Sequence, residues 1–343
     1  MSLGIEKGKP LNTGSFSPHS RGGRGDAFTI AIDLGGTIIK IGLLKCGQLI
    51  ERAEITAQSD SGLKAQLPEL ETTINQILRN NILEKEAVLG IGFSFAGLVD
   101  SLANRIISTN HKYDDGPETD LIEWALKKWN WPLFAENDAR MALLGEWQCG
   151  AGKGYSDLMI VTLGTGIGTA VLINGQLLKG KHFQAGNLGG HFVVNHRGTM
   201  CTCGNIGCVE AEASTWRLPS LLREHPGFTK CSMKDLPVLD FEALLQHAGL
   251  DDKVAKDVLG HSLSAWAAGI ITMIHAFDPE LIVLCGGIMK SASVIMPALQ
   301  EKVNQRAWTP WGKVKLVEAK YPDSAALYGA DFLVRSLVNN SCV

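Results

Sequence analysis

The chain has 343 residues, of which 45% are hydrophobic and 20% are charged. This composition is typical of a globular protein with a sizeable core, and the length favours two domains with a cleft between them. The formal net charge is −3 and the pI is about 6.3, so the chain offers no broad basic surface for nucleic acid. We therefore expect no nucleic-acid partner.

The N-terminal segment, residues 1–26, is rich in Gly, Ser, Lys and Arg and lacks the apolar core of a secretory signal. We expect it to be a flexible tail. No apolar run approaches the length of a bilayer span, because the most apolar helical stretch, residues 270–277, contains His275 and stops at Asp278-Pro279. These features predict a cytoplasmic protein without a membrane partner, in which structural disulfides would be rare.

A strand, a glycine-rich turn and a second strand occur together twice in the sequence. Each unit begins with an apolar run, turns at glycines and continues with a second apolar run. The units lie about 130 positions apart, which predicts two related domains that face one another. The first comprises residues 28–33, the turn Gly35-Gly36-Thr37 and residues 38–44; the second comprises residues 158–163, the turn Gly164-Thr165-Gly166 and residues 170–173.

Helices alternate with strands between and after these units, which predicts an α/β fold. The helices are expected at residues 67–83, with Pro68 in the first turn, and at 119–129, 136–149, 259–277 and 325–337. Further strands are expected at residues 88–95, 132–135 and 281–285, the last ending at Gly286-Gly287.

Glycine turns that follow strands can bind phosphate, because their backbone amides approach the oxygens without a Cβ in the way. Neither turn matches the Walker or the dinucleotide-binding pattern, and a single glycine-rich hairpin is more often only a turn. Together, the two turns could bind one triphosphate. Asp33 could hold Mg²⁺ through water or could only satisfy turn amides, and Lys40 would meet the phosphates if its strand faces them.

Asp138 stands in the segment Glu136-Asn137-Asp138-Ala139, where a short strand gives way to a helix. In isolation, Asn or Asp at this place is most simply a helix cap. A carboxylate at the end of a strand and the mouth of a cleft is also suited to take a proton from a sugar hydroxyl, and the amide of Asn137 could bind hydroxyls beside it. The two glycine turns favour the catalytic interpretation.

Three cysteines, Cys201, Cys203 and Cys208, fall on one glycine-containing loop, and clustered thiols in a reducing compartment indicate metal. His191 is the best candidate for a fourth ligand, which gives a closed structural zinc site. Glu210 follows the last cysteine by two positions, so a metal that shapes the loop would also direct this carboxylate.

These residues resemble the ROK family of bacterial sugar kinases, which also includes transcriptional repressors, over residues 28 to about 338. The most specific element is Cys201-x-Cys203-Gly204-x-x-Gly207-Cys208-x-Glu210. The resemblance implies the fold of actin and hexokinase, in which two domains close on ATP and sugar. It implies a tail at residues 1–26, a small N-terminal domain at 27–137 joined by the C-terminal helix 325–343, and a large domain at 138–324 with the zinc loop 191–210.

The resemblance also implies roles for individual residues. Asp138 would be the catalytic base, and His191 would bind zinc and lie against the sugar. Sugar contacts are implied for Ala96, Gly97, Asn110, Asn137, Asn187 and Glu210. Phosphate or adenosine contacts are implied for Asp33, Gly35, Gly36, Thr37, Lys40, Gly164, Thr165, Gly166, Gly286 and Gly287.

Two positions depart from the family pattern. The family usually has a Glu shortly before the zinc-binding His, whereas this chain has Asn187-Leu188-Gly189-Gly190-His191. Asn187 either reaches the sugar after a shift of one residue or the contact is missing. Ala96 also stands where the family often has Pro, so sugar specificity could differ from that of relatives.

The sequence therefore predicts an ATP-dependent kinase of a hexose or of an amino or N-acetyl hexose, with O6 as the expected acceptor, Mg²⁺ and structural zinc as cofactors, and a homodimer by resemblance. The alternatives are a sugar-responsive repressor and an ATP-hydrolysing scaffold like actin. Repressors carry a helix-turn-helix domain before the first turn, where this sequence shows only residues 1–26. A scaffold would have no evident use for Asn137, Asp138 and the zinc loop.

Overall fold

The computed structural model describes residues 27–109 and 111–340, so the expected tail, residues 1–26, lies outside the described residues. The strands are β1 Phe28–Leu34, β2 Ile38–Lys45, β3 Gln48–Thr56, β4 Val88–Phe95, β5 Gly97–Asp100, β6 Arg105–Thr109, β7 Leu133–Asn137, β8 Leu158–Leu163, β9 Ile167–Ile173, β10 Gln176–Leu177, β11 Leu281–Cys285 and β12 Lys315–Glu318. The helices are α1 Leu63–Asn80, α2 Leu121–Trp129, α3 Asp138–Cys149, α4 Val209–Ala213, α5 Leu218–Glu224, α6 Phe241–Gly249, α7 Lys253–Phe277, α8 Ala292–Arg306 and α9 Ala325–Asn340.

The two main sheets repeat one topology. Their strand orders are β3-β2-β1-β4-β7 and β10-β9-β8-β11-β12. In each sheet three consecutive strands run antiparallel, and two later strands then add in parallel beside the first. The duplication predicted from the two glycine turns is therefore confirmed, because each turn joins the first two strands of its own sheet.

Each sheet has its own hydrophobic core. Strands β1 and β4 are almost wholly buried and pack with α1 and α2, while β8 and β11 pack with α4 to α8. Strands buried on both faces read as continuous apolar runs, which is why the sequence located β4, β8 and β11 at their observed bounds. The edge strand β3 alternates in exposure instead, and the sequence analysis missed it.

Helices α3 and α9 connect the two halves. Each follows the last strand of one sheet but packs on the other sheet, since α3 contacts β8 and β9 while α9 contacts β1, β2 and β4. The helices cross at two glycines. A Cβ at Gly145 would lie 1.9 Å from the carbonyl oxygen of Ala325, and one at Gly329 would lie 1.8 Å from that of Met141. The two backbones therefore touch with no side chain between them.

Several helix boundaries differ from the sequence-based expectation, among them the starts of α1, α2, α3 and α7. Helix α1 begins at Leu63, not at residue 67, because the carboxylate of Asp115 accepts hydrogen bonds from the amides of Leu63 and Lys64 and so caps the helix from a distant loop. Pro68 is therefore inside α1, not in its first turn. Helix α3 begins at Asp138, because β4 pairing extends β7 through Glu136 and Asn137.

Helix α7 has 25 residues and, within the described part of the chain, is the one helix long and apolar enough to span a membrane by length and composition. The sequence analysis expected no such stretch. Trp266, Ile270 and Ile274 of α7 are buried in the core of the second half, and Trp266 Nε1 donates to the carbonyl oxygen of Ala213 at 2.8 Å. Such burial is typical of a core helix.

The glycine crossing yields a stability prediction. Replacing Gly145 with Ala should lower the free energy of unfolding by about 1–3 kcal/mol, because the methyl group would overlap a backbone carbonyl that cannot move without separating the helices. Gly260, a helical glycine in α7 with open space around its Cβ position, is the control. Gly260→Ala should raise the stability by about 0.5–1 kcal/mol. Urea unfolding measures both, and equal behaviour of the two variants would contradict the proposed packing.

Candidate functional site

The first glycine turn joins β1 to β2. Gly35 has no room for a side chain, because a Cβ there would lie 2.4 Å from the carbonyl oxygen of Ile38. Tyr113 Oη donates to the Gly35 carbonyl oxygen at 2.8 Å, and Ser59 Oγ donates to that of Gly36 at 3.2 Å. The Gly35 amide donates to the Asp33 carbonyl oxygen. An anion at this turn would therefore rely on the amides of residues 36 and 37, of which Thr37 is exposed.

Asp33 and Lys40 face each other across the β1–β2 pair. Their side chains approach to 3.9 Å between Nζ and Oδ2, and Ser94 Oγ donates to Asp33 Oδ1 at 2.9 Å. Burial raises the pKa of Asp33, while the Lys40 ammonium and the Ser94 hydroxyl act in the opposite direction. Lys40 thus lies on the same side of the sheet as Asp33, at the base of the turn.

The second glycine turn joins β8 to β9, and other residues that the sequence predicted for the site lie against it. Glu210 is buried, and its Oε2 accepts a hydrogen bond from the Ile167 amide at 2.8 Å. The amide of Thr215 donates to the Gly164 carbonyl oxygen at 3.0 Å. Gly286 has a φ of 98°, and a Cβ there would lie 2.4 Å from the Leu163 carbonyl oxygen. The structure therefore brings the turn at 164–166, Gly286 and Glu210 together.

The structure shows which of the two neighbours Asn137 and Asp138 caps α3. Asn137 caps α3, because its Oδ1 accepts from the Arg140 amide at 3.1 Å. Its Nδ2 donates to the Gly97 carbonyl oxygen at 3.0 Å and to Asp138 Oδ1 at 2.8 Å. A sugar hydroxyl could bind Asn137 only by displacing or sharing one of these bonds. The structure thus favours a positioning role for Asn137.

Asp138 is half-buried at the start of α3, and its Oδ1 also accepts from the Ala139 amide at 2.8 Å. Burial raises the pKa of Asp138 from 3.8 to about 6, and the nearby charge of Asp33 contributes in the same direction. The charge of Asp138 in turn contributes to the raised pKa of Cys285, after burial and Glu146. Asp138 thus lies within electrostatic reach of both the first glycine turn and the strand end before Gly286.

The predicted metal ligands form one cluster. The ligand atoms of His191, Cys201, Cys203 and Cys208 all lie within 4.8 Å of one another. The separations are 3.6 Å between His191 Nδ1 and Cys201 Sγ, and 3.7 Å between Cys203 Sγ and Cys208 Sγ. Tetrahedral zinc, with bonds of about 2.0 Å to nitrogen and 2.3 Å to sulfur, spaces its ligands by roughly 3.5–3.8 Å. The cluster therefore fits zinc in both donor type and dimension.

The segment before His191 is fixed by a buried threonine on β9. Thr169 Oγ1 donates to the Gly186 carbonyl oxygen at 2.8 Å and accepts from the Gly189 amide at 2.9 Å. Asn187 lies between these two points, and its Oδ1 is buried without a hydrogen-bond partner among the described residues. A buried acceptor that lacks a partner is costly, so Asn187 is well suited to receive a donor from a ligand.

The remaining predicted sugar contacts are Gly97, Ala96 and Asn110. Gly97 begins β5, and its carbonyl oxygen is used by Asn137. Ala96 is exposed between β4 and β5. Asn110 lies outside the described residues.

The sequence analysis missed a cation beside the first turn. Lys112 is exposed, and its Nζ would lie 2.2 Å from a Cβ at Gly36, so the side chain crosses this glycine. Among residues 27–109 and 111–340 its ammonium forms no ion pair, whereas the ammonium of Lys40 lies 3.9 Å from Asp33. Only the tertiary fold brings the loop after β6 over the β1–β2 turn, so no local pattern could have indicated Lys112.

Two sheets of identical strand order, crossed helices between them and a glycine turn from each half define the actin-like ATPase fold. The chain belongs to the ROK family, whose sequence profile matches residues 29–336. The actin-like fold and the membership of the ROK family, which the motifs predicted, are thereby confirmed.

Similar proteins include sugar kinases and regulators. A glucokinase from Thermotoga maritima is 29% identical over 318 residues, which cover 90% of this chain and 98% of that protein. A xylose repressor from Caldicellulosiruptor bescii is 24% identical over 314 residues, which cover 90% of this chain and 78% of that protein. The crystal structure of a ROK hexokinase from Thermus thermophilus superposes on this chain with a TM-score of 0.77 at 26% identity. The alignment covers 91% of this chain and 99% of the hexokinase chain.

The raised pKa of Asp138 predicts a pH-dependent stability effect. Between pH 3.8 and about 6 the folded protein holds a proton on Asp138 that the unfolded chain has released, so stability falls as pH rises through this window and stays lower above it. Asp138→Asn removes the charge but keeps an acceptor oxygen for the Ala139 amide. The variant should therefore gain more in Tm over wild type at pH 8 than at pH 4. An equal gain at both pH values would contradict this prediction.

Proposed function

We propose that the protein is an ATP-dependent kinase that phosphorylates a hydroxyl of a hexose, or of an amino or N-acetyl hexose, with O6 as the acceptor and Asp138 as the general base. The observation that supports this proposal most is the location of Asp138. Its carboxylate has a pKa of about 6 and lies within electrostatic reach of the first glycine turn and of the strand end at Gly286. A general base works best when its pKa lies near the working pH. The similarity to a glucokinase supports the same reaction class.

ATP would lie between the two glycine turns. The amides at residues 36–37 and the turn at 164–166 would bind its phosphates, and Gly286 and Gly287 would adjoin the adenosine, where Gly287 leaves open space. Lys40 and Lys112 would offset phosphate charge. Asp33 is suited to hold Mg²⁺, which when bound would neutralise charge that develops on the transferred group.

The sugar would lie between Asp138 and the zinc loop. Asn187 offers an unpartnered acceptor, Glu210 a buried carboxylate, and Asn110 remains a predicted contact. Asp138 would take the proton of the acceptor hydroxyl as its oxygen attacks the γ-phosphorus in line. Asn137 would orient Asp138 through the 2.8 Å bond from Nδ2 to Oδ1.

Zinc would have a structural role. His191 and the three cysteines would bind it and fix the loop that enters α4, on which Glu210 lies. Because Glu210 also accepts from the amide of Ile167, the metal would hold the second glycine turn and the sugar site in one arrangement. Thiolate ligands and an ATP donor both suit the cytoplasm, which we propose as the compartment.

We also propose that the halves act as two closing domains, residues 27–137 and 138–324, with the C-terminal helix 325–343 joined to the first. The packing of α9 on β1, β2 and β4 supports this division. Closure would exclude water from the γ-phosphoryl group and so limit ATP hydrolysis.

A sugar-responsive regulator is the second candidate, because a xylose repressor is among the similar proteins. Such a protein would bind sugar without turnover. The raised pKa of Asp138 and its electrostatic reach to the first glycine turn support the kinase over the regulator.

The kinase proposal is tested by ADP release in a coupled assay, with glucose, mannose and their 2-amino and 2-acetamido derivatives as substrates. We expect at least one sugar to stimulate release, with kcat/KM falling about tenfold per pH unit below pH 6 as Asp138 takes up its proton. Asp138→Asn should lower kcat at least about 100-fold, the usual contribution of a general base. Sugar binding without ADP release would instead support the regulator.

The zinc proposal predicts about one zinc per chain by elemental analysis. Cys203→Ser should remove it, because the hydroxyl of Ser is a poor zinc ligand. Cys46→Ser changes an exposed cysteine outside the cluster and is the matched control, which should retain zinc. A purified wild-type protein that contains no zinc, or a Cys203→Ser protein that retains zinc, would contradict the proposal.

A further inference from the structure

A buried ion-pair network involves residues on both sides of the candidate base, Asp138, in the chain. Glu136 of β7 and Arg140 of α3 are both fully buried. Glu136 Oε1 accepts from the Asn137 amide at 3.0 Å and lies 3.4 Å from Arg140 Nη1. Lys179 Nζ lies 2.8 Å from the other oxygen, Oε2. A buried carboxylate requires such partners, so the network is a strong structural constraint.

Arg140 fixes the chain segment that follows β10. Its Nη2 donates to the carbonyl oxygens of Leu178, Phe183 and Ala185, at 3.2, 3.0 and 2.9 Å. Residues 178–185 are thereby bound to the first turns of α3. Asn187 follows two residues later, so this segment leads directly into the candidate sugar site.

Lys179 connects this segment to the first half of the molecule. Besides meeting Glu136, its Nζ donates to Ser101 Oγ at 2.7 Å. Ser101 begins the turn between β5 and β6, and this hairpin is tied to β7 by a bond from the Ala135 amide to Asn104 Oδ1 at 3.0 Å. One ammonium group therefore joins the segment before Asn187 to two elements of the first half.

We propose that Lys179 is a positioning residue that couples the sugar-binding segment to the hairpin on the opposite side of the cleft. This inference rests on the proposed sugar site. The bond to Ser101 holds residues 178–187 close to the hairpin that begins at Gly97, so that Asn187 and the residues beyond β4 approach one sugar together. The glycine turns do not touch Lys179, so ATP binding should depend little on it.

Lys179→Met removes the ammonium while keeping most of the side-chain length. We expect the sugar Kd to rise about tenfold or more, the usual consequence of losing a hydrogen bond to a charged group. The KM for ATP should change less than about twofold, since ATP would bind at the turns. Calorimetry with a sugar from the panel gives the Kd, and the coupled assay gives the KM for ATP.

Ser101→Ala separates coupling from stability, because it removes only the contact with the hairpin and keeps the pair of Lys179 with Glu136. It should raise the sugar Kd about threefold to tenfold, the size expected for one hydrogen bond, and should lower Tm less than Lys179→Met does because Glu136 keeps its cation. Lys181→Met, which changes an exposed lysine of the same segment, should match wild type in both.

The inference fails if Ser101→Ala binds sugar as wild type does, or if Lys179→Met raises the sugar Kd and the KM for ATP equally. Direct sugar binding keeps this test separate from the kinase proposal. A wild-type protein that binds sugar without releasing ADP would overturn the kinase function, and the Kd values of the variants would still decide the role of Lys179.

Discussion

The contact between the backbones of α3 and α9 is the constraint on which the rest of the structure depends. With no side chain at Gly145 or Gly329, the helices approach until a carbonyl of each lies where a Cβ would otherwise be. Each helix follows one sheet and packs on the other, so this contact fixes how the two sheets meet. Asp138 begins α3 and lies within electrostatic reach of Asp33 of the opposite half because of it.

The carboxylates at the site differ in the groups that they pair with. Among the described residues Asp33 has Lys40 and Ser94 as partners, whereas the carboxylate of Asp138 accepts hydrogen bonds from the Ala139 amide and Asn137. The loss of water on burial, with a further contribution from the like charge of Asp33, raises the pKa of Asp138 to about 6. Glu136, one position before Asn137, is neutralised by Arg140 and Lys179 instead.

Much of the fold could be predicted from the sequence, because buried parallel strands read as apolar runs and their turns read as glycines. The metal cluster was equally visible, since three of its four residues fall on one short loop. The start of α1 was not, because its cap, Asp115, lies on a distant loop. Lys112 and Lys179 were missed for the same reason, because each contacts a turn or a strand that only the folded chain brings near.

The sequence by itself determined the duplicated strand, turn and strand units, the residue types at the candidate site and the family, because these depend on local periodicity and on spacing within short segments. The tertiary structure decided that Asn137 caps α3 and that the pKa of the Asp138 carboxylate is raised. It also decided which cations meet which carboxylates. The physical reason is that desolvation and charge pairing depend on distances across the cleft, and packing alone sets those distances.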